Sequence, residues 1–346
     1  MGKLREALEA YAARGLRSFH TPGHKGKFDP IDLTELPGLD DLHAPTGILK
    51  EAQERAAALY GADRAWYLVN GSTVGVLTAL SAALPAGGKL LMQRESHRCA
   101  YNTAMLRGFE KYYLETEREA GCGAGLGVTL AEVRRGLSEY PDIQAVFLTS
   151  PNYEGFSAEL KEIAELVHSR ELPLIVDAAH GAHFGFDSLH PASALQCGAD
   201  LAVVSLHKTL PSPTQTALLL QKGDRIEAAA VQEWLSVYQS TSPSYLLMAA
   251  MDDCIEYVSK LTEEDWEAYR RWRLAFRKEL EALPGLRILD AFSEGEGPKP
   301  EPGKILLCPT DGRSGEELAE ELRRRGMEPE LVLPAYVLLI TTVADR

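Results

Sequence analysis

Positive charge is scarce in this chain. Lys and Arg number 36 against 50 Asp and Glu, a formal net charge of -14. That balance argues against nucleic acid or an anionic membrane as the main partner, although it leaves room for a local basic pocket. Cysteine is sparse too. Cys99, Cys122, Cys197, Cys254 and Cys308 form no CxxC pair, so the sequence supplies no zinc framework and fits a reducing, cytoplasmic setting. No apolar run approaches the roughly 20 residues of a membrane-spanning helix. The opening MGKLREALEAYAARGL is charged and amphipathic rather than an apolar secretion signal, and Glu6 spoils a myristoylation motif at Gly2. A dinucleotide fingerprint, a P-loop lysine, internal repeats and long low-complexity tracts are all missing.

What is present is an ordinary soluble composition, 45% hydrophobic over 346 residues, enough for one large core or a large and a small one. Hydrophobic periodicity predicts a helix over residues 3–14 and a His/Gly/Pro/Lys loop, SFHTPGHKGK, from Ser18 to Lys27. A helix beginning near Leu49 follows. Short apolar strands are then expected at Trp66–Val69, Lys89–Gln93, Ala145–Thr149, Leu174–Asp177 and Leu201–Val204, with helices between them. Gly121–Gly127, with glycine at every other position, reads as a flexible excursion. Beyond Tyr245 the pattern turns to long helices with charged faces. A Pro/Gly/Glu linker over Gly295–Gly303 and a small strand–helix–strand unit (Lys304–Leu307, Gly315–Arg325, Tyr336–Thr342) complete the chain. The expected division is an N-terminal arm (1–40), a large domain (41–245) and a smaller C-terminal α+β domain (246–346).

Strands alternating with helices predict an α/β fold with a mainly parallel sheet flanked by helices. Ligands of such sheets lie beyond the carboxyl ends of the strands. Several polar residues are predicted at that edge. After the first strand come Gly71, Ser72 and Thr73, a turn opening a helix, where backbone N–H groups and hydroxyls can cradle a phosphate or simply cap the helix. His97 follows the second strand. Asp177 ends a wholly apolar strand, where a carboxylate must be paired. Ser205, His207 and Lys208 follow the next, and burial there would make the Lys208 amine a nucleophile.

Pyridoxal 5'-phosphate accounts for these residue types together. Its aldehyde needs a lysine (Lys208), its ring nitrogen a carboxylate (Asp177), and its phosphate a helix start with hydroxyls (Gly71, Ser72, Thr73). Its ring needs flat neighbours, which His97 and the small Ala179 can supply. A metal hydrolase built on Asp177, His180 and His183 fits less well, because these histidines follow a strand instead of sharing a helical face. It would also leave Lys208 and the phosphate cradle unused. A Ser205–Lys208 hydrolase leaves Asp177 and His97 without a role.

Seven segments, in order, also carry a family resemblance. They are HTPGHK at His20–Lys25, LDDLH at Leu39–His43, NGST at Asn70–Thr73, Ser96-His97, DAAHGAH at Asp177–His183, SLHKTL at Ser205–Leu210 and STSPSY at Ser240–Tyr245. The chain resembles the ornithine/lysine/arginine decarboxylase family of pyridoxal-phosphate enzymes, of the aspartate-aminotransferase-like fold. The resemblance implies Lys208 as the Schiff-base lysine, Asp177 as the ring-nitrogen partner and His97 as the stacking residue. Ser72, Thr73, Ser205 and His207 would lie around the phosphate and the lysine, with His180 also near the cofactor. It further implies a homodimer or higher homo-oligomer in which Ser240–Tyr245, with Thr241 as the contributed hydroxyl, reaches a neighbour's site. The His20–Lys25 loop would lie near an active site as well.

This chain departs from the family in having Ala178 beside Asp177. It also ends at Thr341–Arg346, where relatives generally continue through the small domain and a further C-terminal domain, so a compact or shortened relative is expected. The reaction implied is decarboxylation of lysine, ornithine or arginine to the amine and CO2, with His207 or Lys208 returning a proton to Cα. The alternatives are an aminotransferase or lyase on the same cofactor, or a substrate-incompetent relative that only binds it. An aminotransferase would need a carboxylate-binding arginine, for which Arg287, Arg313 and Arg323–Arg325 are the candidates.

Overall fold

A computed structural model describes residues 1–295 and 298–345. Residues 296–297 of the anticipated linker, and Arg346, lie outside the described residues. In chain order the first elements are α1 (Lys3–Ala12), α2 (Ile48–Tyr60), β1 (Arg64–Leu68), α3 (Gly71–Ala83), β2 (Lys89–Gln93) and α4 (Arg98–Arg107). Next come β3 (Glu110–Leu114), α5 (Leu130–Glu139), β4 (Ala145–Thr149), α6 (Leu160–His168), β5 (Leu174–Asp177), β6 (Leu201–Ser205), α7 (Leu206–Thr209) and β7 (Ala217–Gln221). The remainder is α8 (Ala228–Tyr238), α9 (Tyr245–Ser259), α10 (Glu263–Glu281), β8 (Leu286–Leu289), β9 (Lys304–Pro309), α11 (Gly315–Arg324), β10 (Leu331–Leu333) and β11 (Tyr336–Ile340).

The large sheet runs β1-β7-β6-β5-β4-β2-β3. Strands β6, β5, β4, β2 and β3 pair in parallel, while β7 is antiparallel to both its neighbours, β6 and β1. The fold is therefore the expected α/β architecture with a largely parallel sheet. Alternation along each strand builds two cores, one on each face. Leu91, Val146, Leu148, Val176 and Val204 pack on one face, and Leu90, Phe147, Ile175, Leu201 and Val203 on the other. Helix α3, apolar around most of its circumference, lies in the second core, as a helix without a polar face must.

Helix α1 is docked, not loose. Leu4 and Leu8 enter the first core, and the Gly2 and Leu4 N–H groups donate to Asp253 Oδ1 (2.6 Å) and Asp252 Oδ2 (2.9 Å). Helix α9 contributes Met248, Met251, Ile255 and Val258 to that same core. The second sheet is antiparallel, ordered β10-β11-β9-β8. Leu280 of α10 and Leu318 and Leu322 of α11 pack against its Ile305, Leu307 and Val337.

Several expectations are corrected. Gly121–Gly127 is not a flexible excursion. Its intervening Cys122, Ala124 and Leu126 are buried with Leu289, Leu306, Tyr336 and Leu338 of the small sheet, and Asn152 Nδ2 donates to the Gly125 carbonyl at 2.6 Å. The described end of the supposed linker is likewise packed, with Pro300 to Gly303 buried. Strands β3, β8 and β10 escape the periodicity because β3 is a charged, half-exposed edge strand and β8 and β10 are short and only partly buried. Helix α4 starts at Arg98 because His97 caps it by accepting from the Cys99 N–H.

Candidate active site

Strands β1, β2, β4, β5 and β6 point the same way, so their carboxyl ends share one edge of the sheet. A cavity of about 830 Å³ opens there. The β1–α3 turn supplies Asn70, Gly71, Ser72 and Thr73, and the β2–α4 turn supplies Glu95 and His97. Thr149, Pro151 and Tyr153 come from β4 and the turn after it, and Asp177, Ala179 and His180 from β5 and beyond. His207 and Lys208 follow β6, while Thr214 and Gln215 precede the antiparallel β7. A single reversed strand thus adds its amino end to an edge otherwise built from carboxyl ends.

Lys208 sits on the one-turn helix α7, closed by the Leu210 N–H donating to the Leu206 carbonyl at 2.8 Å. Pro211 then bars a longer helix. Burial pushes the Lys208 amine below its ordinary value, while Asp177, Cys99 and Glu330 oppose that fall. Asp177 is only 4% exposed and accepts from the Ala179 N–H at 3.1 Å. Burial raises its carboxyl, with Lys208, that N–H and His97 pulling the other way. Burial thus disfavours the charge of each group, and the nearness of the other only partly offsets it.

The histidines are oriented by their partners. His207 Nδ1 lies 3.0 Å from the Thr216 carbonyl. A carbonyl only accepts, so Nδ1 carries a proton, and this bond fixes the orientation of a ring that lines the cavity. His97 Nδ1 accepts from the Cys99 N–H at 3.3 Å, which pins the ring at the start of α4. Burial lowers its pKa, with Asp177 opposing and Lys208 adding to the fall. His180 is buried with Nε2 3.2 Å from Lys208 Nζ and Nδ1 3.0 Å from Lys304 Nζ. Burial, then Lys304 and Lys208, pushes it well below the ordinary histidine value, so the ring is neutral.

The polar geometry suits a phosphorylated aromatic aldehyde. Helix α3 has no side-chain cap, so its first N–H groups and the Ser72 and Thr73 hydroxyls face the cavity as an anion site. Thr149 lines the cavity, and its hydroxyl is buried without a hydrogen-bond partner.

Not every anticipated residue lies there. Ser205 is fully buried and does not line the cavity. Strand alternation puts it on the face of Leu201 and Val203, and its hydroxyl is unpartnered. Thr241 and the His20–Lys25 loop are also absent from the lining of their own chain's cavity. The Ser240 N–H does donate to Asn70 Oδ1 at 2.9 Å, which brings the Ser240–Tyr245 segment beside the start of α3. The arginines weighed for a substrate carboxylate do not line the cavity. Arg287 is held by Glu119 at 2.9 and 3.1 Å, Arg313 by Asp311 and Glu321, Arg323 by Glu328 and Arg325 by Glu321.

Sequence reasoning missed Thr149, Tyr153, Glu95 and Gln215, although Thr149 ends its strand as Asp177 does and was open to the same argument. Lys304 left no signal. It comes from the small sheet, 96 positions beyond Lys208 by residue number.

A family model described as Orn/Lys/Arg decarboxylase, major domain, matches residues 3–295. An uncharacterized protein of Bacillus subtilis (strain 168), YaaO, is 37% identical over 364 aligned residues, 99% of this chain and 74% of its own. The arginine decarboxylase of the same organism is 37% identical over 259 residues, 71% of this chain and 53% of its own. This chain thus matches about half the length of that enzyme. The structure of the Escherichia coli constitutive lysine decarboxylase superposes with a TM-score of 0.82 at 19% identity, covering 99% of this chain and 58% of that one; at such identity the likeness speaks for the fold alone. With the family model spanning most of the sequence and the fold shared throughout, the chain belongs to the Orn/Lys/Arg decarboxylase family.

Proposed function

We propose that this chain binds pyridoxal 5'-phosphate in the cavity and decarboxylates a basic L-amino acid, with arginine the first to test. The observation that carries the reading is the meeting of the Lys208 amine, the Asp177 carboxyl and the uncapped start of α3 around one cavity. Arginine leads because the 37% identical relative with a named activity is an arginine decarboxylase.

When bound, the cofactor supplies an electron sink for the Cα–carboxylate bond electrons as CO2 leaves. The rest falls to the protein. Lys208, kept short of protons by burial, is the amine for the aldehyde carbon. Asp177 holds the proton on the ring nitrogen, and its buried charge gains a cationic partner in return. The α3 N–H groups, Ser72 and Thr73 would hold the phosphate, and the His97 ring and the small Ala179 would lie beside the ring. His207 Nε2, or the Lys208 amine, returns a proton to Cα.

Glu95, which accepts from Arg118 at 2.7 Å, lines the cavity and no arginine among the described residues does, which favours a cationic substrate side chain over the carboxylate-binding arginine of an aminotransferase. Phe19 and Phe28, flanking the His20–Lys25 loop, are 86% and 82% exposed. Their exposure supports a homodimer in which a second copy covers them and Thr241 serves the neighbouring site.

The test is CO2 and amine release from carboxyl-labelled arginine, lysine and ornithine by the cofactor-loaded chain. Release from at least one is expected. A chain that holds the cofactor and releases neither product from any of the three overturns the reading, and keto-acid formation with a second amino acid would point to an aminotransferase instead.

A further inference from the structure

Lys304 opens β9 of the small sheet, yet its side chain reaches the large domain. It is 0% exposed. Gly155 makes way for it, since a Cβ there would stand 2.5 Å from Lys304 Cγ. The amine lies 3.0 Å from His180 Nδ1, and the other ring nitrogen lies 3.2 Å from Lys208 Nζ. An amine–imidazole–amine chain therefore connects the small domain to the cavity.

Counting donors restricts its protonation. A neutral imidazole has one N–H and one bare nitrogen. Two ammonium groups cannot both donate to it, and two free amines cannot both accept from it. With both contacts made, the lysine facing the ring N–H must be a free amine, while the one facing the bare nitrogen donates to it as an ammonium or as an amine. The surrounding charges decide which. Lys304 faces the carboxylates of Glu301, Glu330 and Glu154, against the like charge of Lys208, and stands 5.7 Å from the centroid of the Tyr153 ring. Lys208 faces Asp177, whose own charge is opposed by burial, with Cys99 and Glu330. His183 and His207 are the other titratable groups around His180.

We infer that the Lys304 ammonium donates to His180 Nδ1, fixes the ring with its proton on Nε2, and so holds Lys208 as a free amine. Lys304 is a positioning residue acting through His180; it does not line the cavity. Burial, opposed by Glu301, lowers its pKa to about 8, so it still carries the proton at neutral pH. The free amine is the form that attacks an aldehyde, and in that sense the inference rests on the role proposed for Lys208.

The test uses the full chain without cofactor or substrate, so its outcome is independent of whether decarboxylation is found. Competitive acetylation across pH, read by peptide mass spectrometry, gives the pKa of the Lys208 amine. Lys304→Met should raise that pKa by about one unit, a tenfold loss of free amine near neutrality, and Lys304→Arg should keep it low. In the unaltered chain, 15N spectra of labelled histidine, assigned with His180→Gln, should show the His180 proton on Nε2. A folded Lys304→Met protein with an unchanged Lys208 profile overturns the inference. So does a His180 proton on Nδ1, which needs no variant to fold.

Discussion

Replacing Asp177 with Asn separates what the residue does for a ligand from what it does for the fold. The carboxyl is 4% exposed, and burial raises its pKa in the free chain. A carboxyl raised in the folded state disfavours folding above its unfolded pKa, and that cost is present at neutral pH. Asn keeps the shape and can still accept from the Ala179 N–H, so thermal unfolding of the free chain at pH 7 should occur no lower than in the original. The cofactor side moves the other way. A charge-assisted hydrogen bond is worth about 1.5–3 kcal/mol, and losing it should weaken pyridoxal 5'-phosphate binding by roughly ten- to 150-fold. Absorbance titration of both proteins measures the second effect and calorimetry the first. Unchanged affinity together with a lower unfolding temperature would refute the assignment and make Asp177 a purely structural carboxylate.

Three further outcomes follow from packing and charge. Gly75→Ala gains up to about 1 kcal/mol of helix propensity, but its Cβ would stand 2.7 Å from Leu68 Cδ1 and 2.8 Å from Val203 Cγ1. Overpacking of about 1–3 kcal/mol should outweigh the gain, lowering the urea midpoint and shifting Ser72 and Thr73 with the displaced helix. Asp290→Ala leaves the fully buried Arg273, its partner at 2.7 Å, without a counter-charge; a loss of about 3–5 kcal/mol is expected in chemical unfolding. Lys304 titrates at about 8 in the folded chain against an ordinary 10.5. Between these values the unfolded state binds more protons, so this group's contribution to stability rises with pH, by up to about 3 kcal/mol. The stability of the original chain relative to Lys304→Met should therefore rise from pH 8 to 10; comparing the two cancels the buried cysteines and tyrosines that titrate nearby.

Much of this site is local and therefore legible in the sequence. An apolar strand followed by a polar turn marks a sheet edge, and Asn70–Thr73, His97, Asp177 and Lys208 each sit at such a junction. Parallel pairing then brings the junctions after β2, β5 and β6 together, while β1 joins them through the antiparallel β7. What escaped is non-local or unpatterned. Lys304 reaches His180 from another sheet, Gln215 arrives through an antiparallel strand, and the Gly121–Gly127 run packs because of partners far along the chain. Ser205 shows a subtler failure. It has the right position in sequence and, by alternation, shares the face of Thr149 and Asp177, yet it is fully buried and does not line the cavity.

The central claim is that Lys208 is the amine that takes the cofactor. Pyridoxal 5'-phosphate is added to the purified chain, the adduct is fixed by borohydride reduction, and the modified peptide is located by mass spectrometry. The account predicts one adduct per chain, on Lys208, and its loss with the visible absorbance band in Lys208→Ala. An adduct on another lysine, or a band that survives Lys208→Ala, would contradict it.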